Sequence, residues 1–264
     1  MTDPFSKNSI PALIGVVHLL PLPGNPRPSP GLDRVIDRAC ADARALAEGG
    51  VDSIIVENLG DTPFSAGAVD PYTVAAMTRI ALAIAQEIPH IPLGINVLRN
   101  DARSALGIAT AVNARYIRVN VHTGSMVTDQ GLIHGDARNT LLERLRLSSS
   151  ANIAADVLVK HAVPLGTPDL AQVAHDTWER GGVQALIVSG TGTGKPIHPP
   201  DLEEVRRVAP LAPLWVGSGT TPENAPILIG RADAAIVGTW LHAQGDLNAP
   251  IDVARVRTIR QIFQ

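Results

Sequence analysis

Residues 115–122 read RYIRVNVH, a β-branched run that carries Arg118, Asn120 and His122 at every second position. Side chains of a strand alternate between its two faces, so these three share one side while Ile117, Val119 and Val121 share the other. On a half-exposed strand the polar side would look at water. In a strand buried on both sides it needs another destination, and the rest of the chain supplies one.

Val- and Ile-rich runs recur on either side of it: LIGVVHL (13–19), VDSIIVEN (51–58), IPLGINVL (91–98), ANIAADVLVK (151–160), QALIVS (184–189), PLWVGS (213–218) and ADAAIVG (232–238). With RYIRVNV (115–121) they make eight strand candidates. After the first run, Leu32, Val35, Ile36, Ala39, Cys40, Ala43, Leu46 and Ala47 recur at intervals of three and four, the period of an amphipathic helix, which Gly49-Gly50 then stops. Helical patterns also fit 71–88, 101–112, 136–147, 168–180, 200–208, 221–229 and 250–262. Asp70-Pro71, Thr167-Pro168 and Thr221-Pro222 each place a capping side chain before a first-turn proline. Eight β-α units in about 250 residues match the size and count of a (β/α)8 barrel, with an open doubly wound sheet as the competing arrangement. No linker divides the chain, so 1–264 reads as a single barrel domain behind a short lead-in, 1–11.

Composition narrows the partners. The chain has 264 residues, 45% of them hydrophobic, 18% charged, with a formal net charge of -3. That excludes a disordered or fibrous chain and argues against a nucleic-acid partner, since Lys and Arg are scattered rather than massed in a stripe. Cys40 is the sole cysteine, read as core packing, so an intrachain disulfide and a thiolate metal cluster are both excluded. With no apolar leader and no uninterrupted apolar span, a cytoplasmic location without a transmembrane segment is expected. Peripheral contact with a membrane surface stays compatible with this, as does a homo-oligomer, although no residue specifies either.

In a (β/α)8 barrel the strands' C-terminal ends form the mouth where chemistry takes place. That gives the polar face of 115–122 a destination, and the same test applied to every strand selects a set. His18 ends the first strand, Glu57 the second and Asn96 the third; Arg118, Asn120 and His122 come from the fourth, Asp156 and Lys160 from the fifth. Glu57 and Asn58 face opposite ways, and Glu57 is assigned inward with Ser53 and Ile55. His122 also reads as the first residue of a turn, because HTGS follows directly. Glu57 and Asp156 are the expected acid-base carboxylates, Lys160 and Arg118 the stabilisers of developing negative charge. His18, Asn96, Asn120 and His122 are expected to orient substrate. Lys160 could instead form a Schiff base, although nearby Asp156 would tend to keep its amine charged.

The last two strands run into VGSGT (216–220) and IVGTW (237–241). Loops in these positions commonly present backbone N–H groups to a phosphate, so Gly217, Ser218, Gly219, Gly238 and Thr239 are the expected anion site. SGTGTGKP (189–196) fails as a nucleotide P-loop, because its spacing is one residue short and Pro196 replaces the magnesium-binding hydroxyl. It reads as a barrel loop whose Lys195 could reach an anion. No cofactor is expected. Neither HExxH nor an EF-hand occurs, and although Glu57, Asp156 and His18 could share a divalent metal, no metal ligand is assigned.

GVVHLLPLPGNP (15–26), VENLGDTPF (56–64), GINVLRND (94–101), IRVNVHTG (117–124), TDQGLIHG (128–135), ADVLVKHAVPL (155–165), SGTGTG (189–194), GSG (217–219) and IVGTWL (236–241) together resemble the BtpA/SgcQ family over nearly the whole chain. The resemblance implies a TIM barrel of the phosphate-binding type. For function it implies two directions: the BtpA branch is associated with stable accumulation of photosystem I, and the SgcQ branch accompanies sugar uptake. One expectation, which rests on the residues gathered at the mouth, is an isomerase, lyase or glycosidic-bond-cleaving enzyme of sugar or nucleoside metabolism, acting on a small phosphorylated substrate. The other is a non-catalytic assembly factor with a protein partner, which requires an exposed apolar patch. Asp156→Asn and Lys160→Ala should abolish binding or turnover while keeping the fold, and Arg206→Ala on a helix face should be nearly silent.

Overall fold

The apolar runs become strands buried on both faces, and the periodic segments become helices that cover them. In the computed structural model, which describes residues 1–167, 169–190 and 197–264, these runs form β1 (Ala12–His18), β2 (Ser53–Glu57), β3 (Leu93–Asn96), β4 (Tyr116–Val119), β7 (Asn152–Asp156), β9 (Ala185–Val188), β10 (Leu214–Val216) and β11 (Ala234–Val237). They close into a barrel in the order β1-β11-β10-β9-β7-β4-β3-β2, every pair parallel. Outside lie α1 (Leu32–Gly49), α2 (Pro71–Glu87), α3 (Ala102–Ala111), α4 (Ala137–Arg146), α5 (Leu170–His175), α6 (Pro199–Val208) and α7 (Val253–Ile262). Parallel strands need such crossovers, and the (β/α)8 architecture read from the sequence is the one observed.

Strand alternation splits the core in two. Val17, Ile54, Ile95 and Ile117 point outward to meet Leu46, Ile80, Leu106 and other helix residues. Ile14, Ile55, Tyr116, Ile187, Trp215 and Ile236 point inward and fill the barrel. The lead-in closes the far end: Phe5 meets the rings of Tyr116 and Trp215 edge-on, at 5.4 and 4.9 Å, and Trp215 Nε1 donates to Pro4 O at 2.7 Å. Two buried aspartates pin strands to helices at that end. Asp52 accepts from Leu13 N and Arg260, and Asp233 accepts from Leu214 N and Arg206. Arg206 therefore holds a buried carboxylate, at 2.6 Å, and also donates to Ala212 O at 2.7 Å. The expectation that its removal would be silent is corrected by these bonds.

Three further expectations change. Segment 221–229 is not an α-helix but a loop ending in a 3-10 turn, Ala225–Leu228. Pro226 has no N–H to extend a helix begun at Pro222, and Asn224 Oδ1 accepts from Thr221 N instead. Helix α5 starts later than expected, with Asp169 rather than Thr167 capping it through Ala171 N, and it continues as a π-helical turn over Asp176–Arg180; Pro168 lies outside the described residues. Finally, the run 151–160 ends as a strand at Asp156, and the residues after it lead through a loop into an antiparallel sheet that the sequence did not announce. That sheet is β6 (Gly131–His134), β5 (Ser125–Thr128) and β8 (Ala162–Pro164), in that order. Met126 and Ile133 on its inner face pack on Val121 and Val159, which seats the sheet beside the barrel mouth.

Candidate active site at the barrel mouth

Because every barrel strand points the same way, the polar residues at the strand ends converge on one cavity of about 910 Å³. Glu57 from β2, Arg118 from β4, Asn120 just beyond it and His18 from β1 line this cavity, as do Lys160, Gly217, Ser218, Gly219, Gly238 and Thr239. Asn58 is turned away, as expected: its Oδ1 accepts from Leu98 N at 2.7 Å and its Nδ2 donates to Asp61 at 3.1 Å. Asp61 in turn accepts from Leu22 N at 2.8 Å. The family-like blocks 15–26, 56–64 and 94–101 are thus laced together behind the site by the side chains of Asn58 and Asp61, which accept from main-chain N–H groups of the other two blocks.

Asp156 is the most heavily engaged group. Its oxygens accept from Arg118 Nε and Nη2, both at 3.0 Å, from Asn120 Nδ2 at 3.1 Å and from Ser189 Oγ at 3.0 Å. Its side chain is 0% exposed and it does not line the cavity. A carboxylate with four donors and no cavity face is placed to orient Arg118, which departs from the expected acid-base role. Asn96 also stands behind the wall, donating to Glu57 Oε2 at 2.6 Å. His122 leaves the site altogether. It is buried outside the barrel, with Nε2 2.9 Å from the Gly181 carbonyl that the π-helical turn presents. The turn reading of HTGS accounts for this, since β4 stops at Val119 and the alternation no longer applies.

Burial pushes the His18 imidazole down to about 4; Glu57 opposes this, while His242, Lys160 and Arg118 reinforce it. Its tautomer follows from its neighbours. His242 Nδ1 lies 2.7 Å from Ala249 O, which can only accept, so Nδ1 carries the proton and Nε2 is an acceptor. His18 Nδ1, 3.3 Å from that Nε2, then donates. His18 Nε2 is left with a bare lone pair, 4.0 Å from Glu57 Oε1. Burial alone would raise the Glu57 carboxyl, but His18, Arg118, Lys160 and the Asn96 bond outweigh it and hold the group below the ordinary carboxylate range. Arg118 Nη1 is 3.9 Å from Glu57, and Asp156 and Glu57 keep the guanidinium charged despite burial.

Gly217 and Gly238 are required by close approach. A Cβ on Gly238 would lie 2.6 Å from His18 Cε1, and one on Gly217 would lie 2.5 Å from both Ile187 Cγ2 and Ser189 Oγ. Ser218 and Gly219 take positive φ, 150° and 73°. Among the described residues, the buried hydroxyls of Ser218 and Thr220 and the buried Nε of Arg99, all from residues lining the cavity, have no hydrogen-bond partner. Charge on the wall is mainly positive: Arg27, Arg99, Arg118 and Lys160 face Glu57 and Asp129.

The sequence reading did not select Arg99, Thr220, Asp129 or His242. Arg99 lies three residues past Asn96, within reach of the strand-end rule had it been extended into the loop. His242 had no local signal, being 224 residues from the ring it orients. Lys195 lies outside the described residues. The proposed metal trio does not assemble, as Asp156 is saturated by its donors; among the described residues no cluster of three or more His, Cys, Asp or Glu side chains forms a site. No helix among the described residues is long and apolar enough to cross a membrane.

Comparison with known proteins places these observations in context. The BtpA family profile matches residues 9–264. The photosystem I biogenesis protein BtpA of Synechocystis is 52% identical over 244 residues, covering 92% of this chain and 85% of that protein. The putative sgc region protein SgcQ of Escherichia coli K12 is 31% identical, covering 93% and 91%. Among solved structures, thiamine phosphate pyrophosphorylase from Pyrococcus furiosus superposes with a TM-score of 0.61 at 13% identity, covering 97% of this chain and 96% of that one. For 3-hexulose-6-phosphate synthase from Salmonella typhimurium the values are 0.60 and 17%, covering 96% and 98%. At these identities the likeness concerns the fold alone, a (β/α)8 TIM barrel.

Proposed function

The chain belongs to the BtpA family, and from that premise we propose that it is an enzyme performing acid-base chemistry on a small phosphorylated molecule with sugar-like hydroxyls. The observation that carries this reading is the fixed tautomer of His18: a neutral ring with its Nε2 lone pair beside Glu57, on the wall of a cationic cavity. A base of that kind takes a proton from carbon or oxygen, and Arg118, held in place by Asp156, meets the negative charge that develops. Glu57 stays ionised and favours the imidazolium that forms. The phosphate would sit on the backbone of Gly217–Gly219 and Gly238–Thr239 with the free hydroxyls of Ser218 and Thr220. Asp156 has none of its surface on the cavity and is not the second carboxyl group that glycosidic cleavage would need beside Glu57; that place would fall to Asp129, while isomerase or lyase chemistry requires no second carboxylate.

A thermal-shift screen tests this. Phosphorylated sugars and nucleosides should raise the melting temperature, their dephosphorylated counterparts should not, and Ser218→Ala with Thr220→Val should reduce the shift. A ligand at 100 times its Kd stabilises by about 2.7 kcal/mol, well within detection. Equal shifts with and without the phosphate would sink the anion site.

One observation favours the assembly-factor reading as well. Val127 pairs with Leu132 on β6 and with Val163 on β8, so the three share the outer face of the antiparallel sheet, exposed at 45%, 44% and 67%. That is the apolar patch a partner would need. Charged replacements at Val127 and Val163 that left small-molecule binding intact but abolished a partner complex would separate this role from the cavity.

A further inference from the structure

Lysine is rare in this chain. Lys7, Lys160 and Lys195 are its only lysines, and the remaining cations are arginines. At an anion site arginine is the better hydrogen-bonding partner and never loses its proton, so a lysine at the mouth has a property arginine lacks: its amine can become a nucleophile. Lys160 sits half-buried on the cavity wall, four residues past the end of β7. Arg99 fixes its backbone by donating to Lys160 O at 2.8 Å. Among the described residues its Nζ has neither a hydrogen-bond acceptor nor a carboxylate within ion-pairing distance; Asp156 is already taken by Arg118, and Glu57 by Arg118 and Asn96.

We propose that Lys160 forms an imine with the carbonyl of a small phosphorylated aldehyde or ketone bearing an α-hydrogen, a step that rests on the acid-base reading of the mouth and specifies its substrate class. The unprotonated Nζ attacks the carbonyl carbon. The carbonyl oxygen departs as water, taking one proton from the amine and one from solvent, and leaves a protonated imine. His18 Nε2 then removes the α-proton, and the C–H electron pair flows into the imine to give an enamine. Burial and the adjacent Arg118 push the Lys160 amine below its ordinary range, and Glu57 and Asp156 only partly offset this. Asp156 still favours the charged amine, but with Asp156 committed to Arg118, burial and Arg118 outweigh it.

The test is reductive trapping. The protein is incubated with dihydroxyacetone phosphate, glyceraldehyde 3-phosphate or ribose 5-phosphate, treated with borohydride and mapped by mass spectrometry, with melting temperature recorded for each probe. The expected result is one probe, less one oxygen atom, attached at Lys160 ahead of Lys7 and Lys195. Lys160→Arg should melt as the wild type does and lose the label. A probe that raises the melting temperature but leaves Lys160 unlabelled, or labels Lys7 equally, overturns the imine and leaves the acid-base enzyme standing. No thermal shift and no label with any probe overturns both.

Discussion

Asp156→Asn removes one negative charge from a pocket in which Arg118 is only 5% exposed. Breaking a buried ion pair from one side typically costs about 3–5 kcal/mol, because the surviving charge keeps its desolvation penalty. Two features of this site set the value within that range. An asparagine amide would face the N–H groups of Arg118 and Asn120, donor against donor, which raises the cost. Glu57, 3.9 Å from Arg118, still offers partial compensation, which lowers it. We expect a loss of about 3 kcal/mol at pH 7, which for a chain of this size lowers the melting temperature by roughly 6–12 °C. Urea unfolding followed by circular dichroism would measure it. Arg118→Met, and the double variant with Asp156→Asn, complete a cycle whose coupling should exceed about 2 kcal/mol, since removing both charges abolishes the penalty that either leaves behind. A loss below about 1 kcal/mol for Asp156→Asn, with additive effects in the double variant, would show that the pair is not desolvated and would refute the positioning role. Lost ligand binding in Asp156→Asn would then need a separate explanation, and the expectation that this variant keeps its fold unchanged would be restored.

Other perturbations follow from the same geometry. Unfolded His18 binds a proton below pH 6.5 and the folded ring only below about 4, so stability present above 6.5 should fall as pH drops through that window; His18→Asn should make the slope shallower by up to about 1.4 kcal/mol per pH unit, and an unchanged slope would contradict the buried, neutral ring. Gly238→Ala should cost about 1–3 kcal/mol through the 2.6 Å approach to His18, and should weaken ligand-induced thermal shifts more than an equally destabilising change far from the mouth. Arg206→Ala leaves buried Asp233 without its charged donor and should cost about 1.5–3 kcal/mol in urea unfolding; a neutral result would mean that Leu214 N and Asn8 N satisfy that carboxylate on their own.

What the sequence determined by itself was the architecture, because that depends on periodicity. Eight β-branched runs, each with its helical complement or loop, match a closed parallel barrel in number and length, and alternation within each run names the residues that face inward. RYIRVNVH shows both the strength and the limit of that logic. It brought Arg118 and Asn120 to the mouth, and it failed for His122 because the strand stops first. Lys160 reached the cavity through a loop rather than by alternation, and the π-helical turn and antiparallel sheet left no periodic trace at all. Which polar group does which task was decided only by tertiary structure. Glu57 and Asp156 look alike as strand-end carboxylates, yet one faces the cavity and the other is enclosed by four donors. The Nε2 lone pair of His18 faces the cavity unprotonated because His242, brought beside it by closure of the barrel between β11 and β1, accepts the proton on Nδ1 as a hydrogen bond. Protonation and hydrogen-bond roles depend on distances of a few ångströms between residues remote in the chain, and periodicity does not encode those distances.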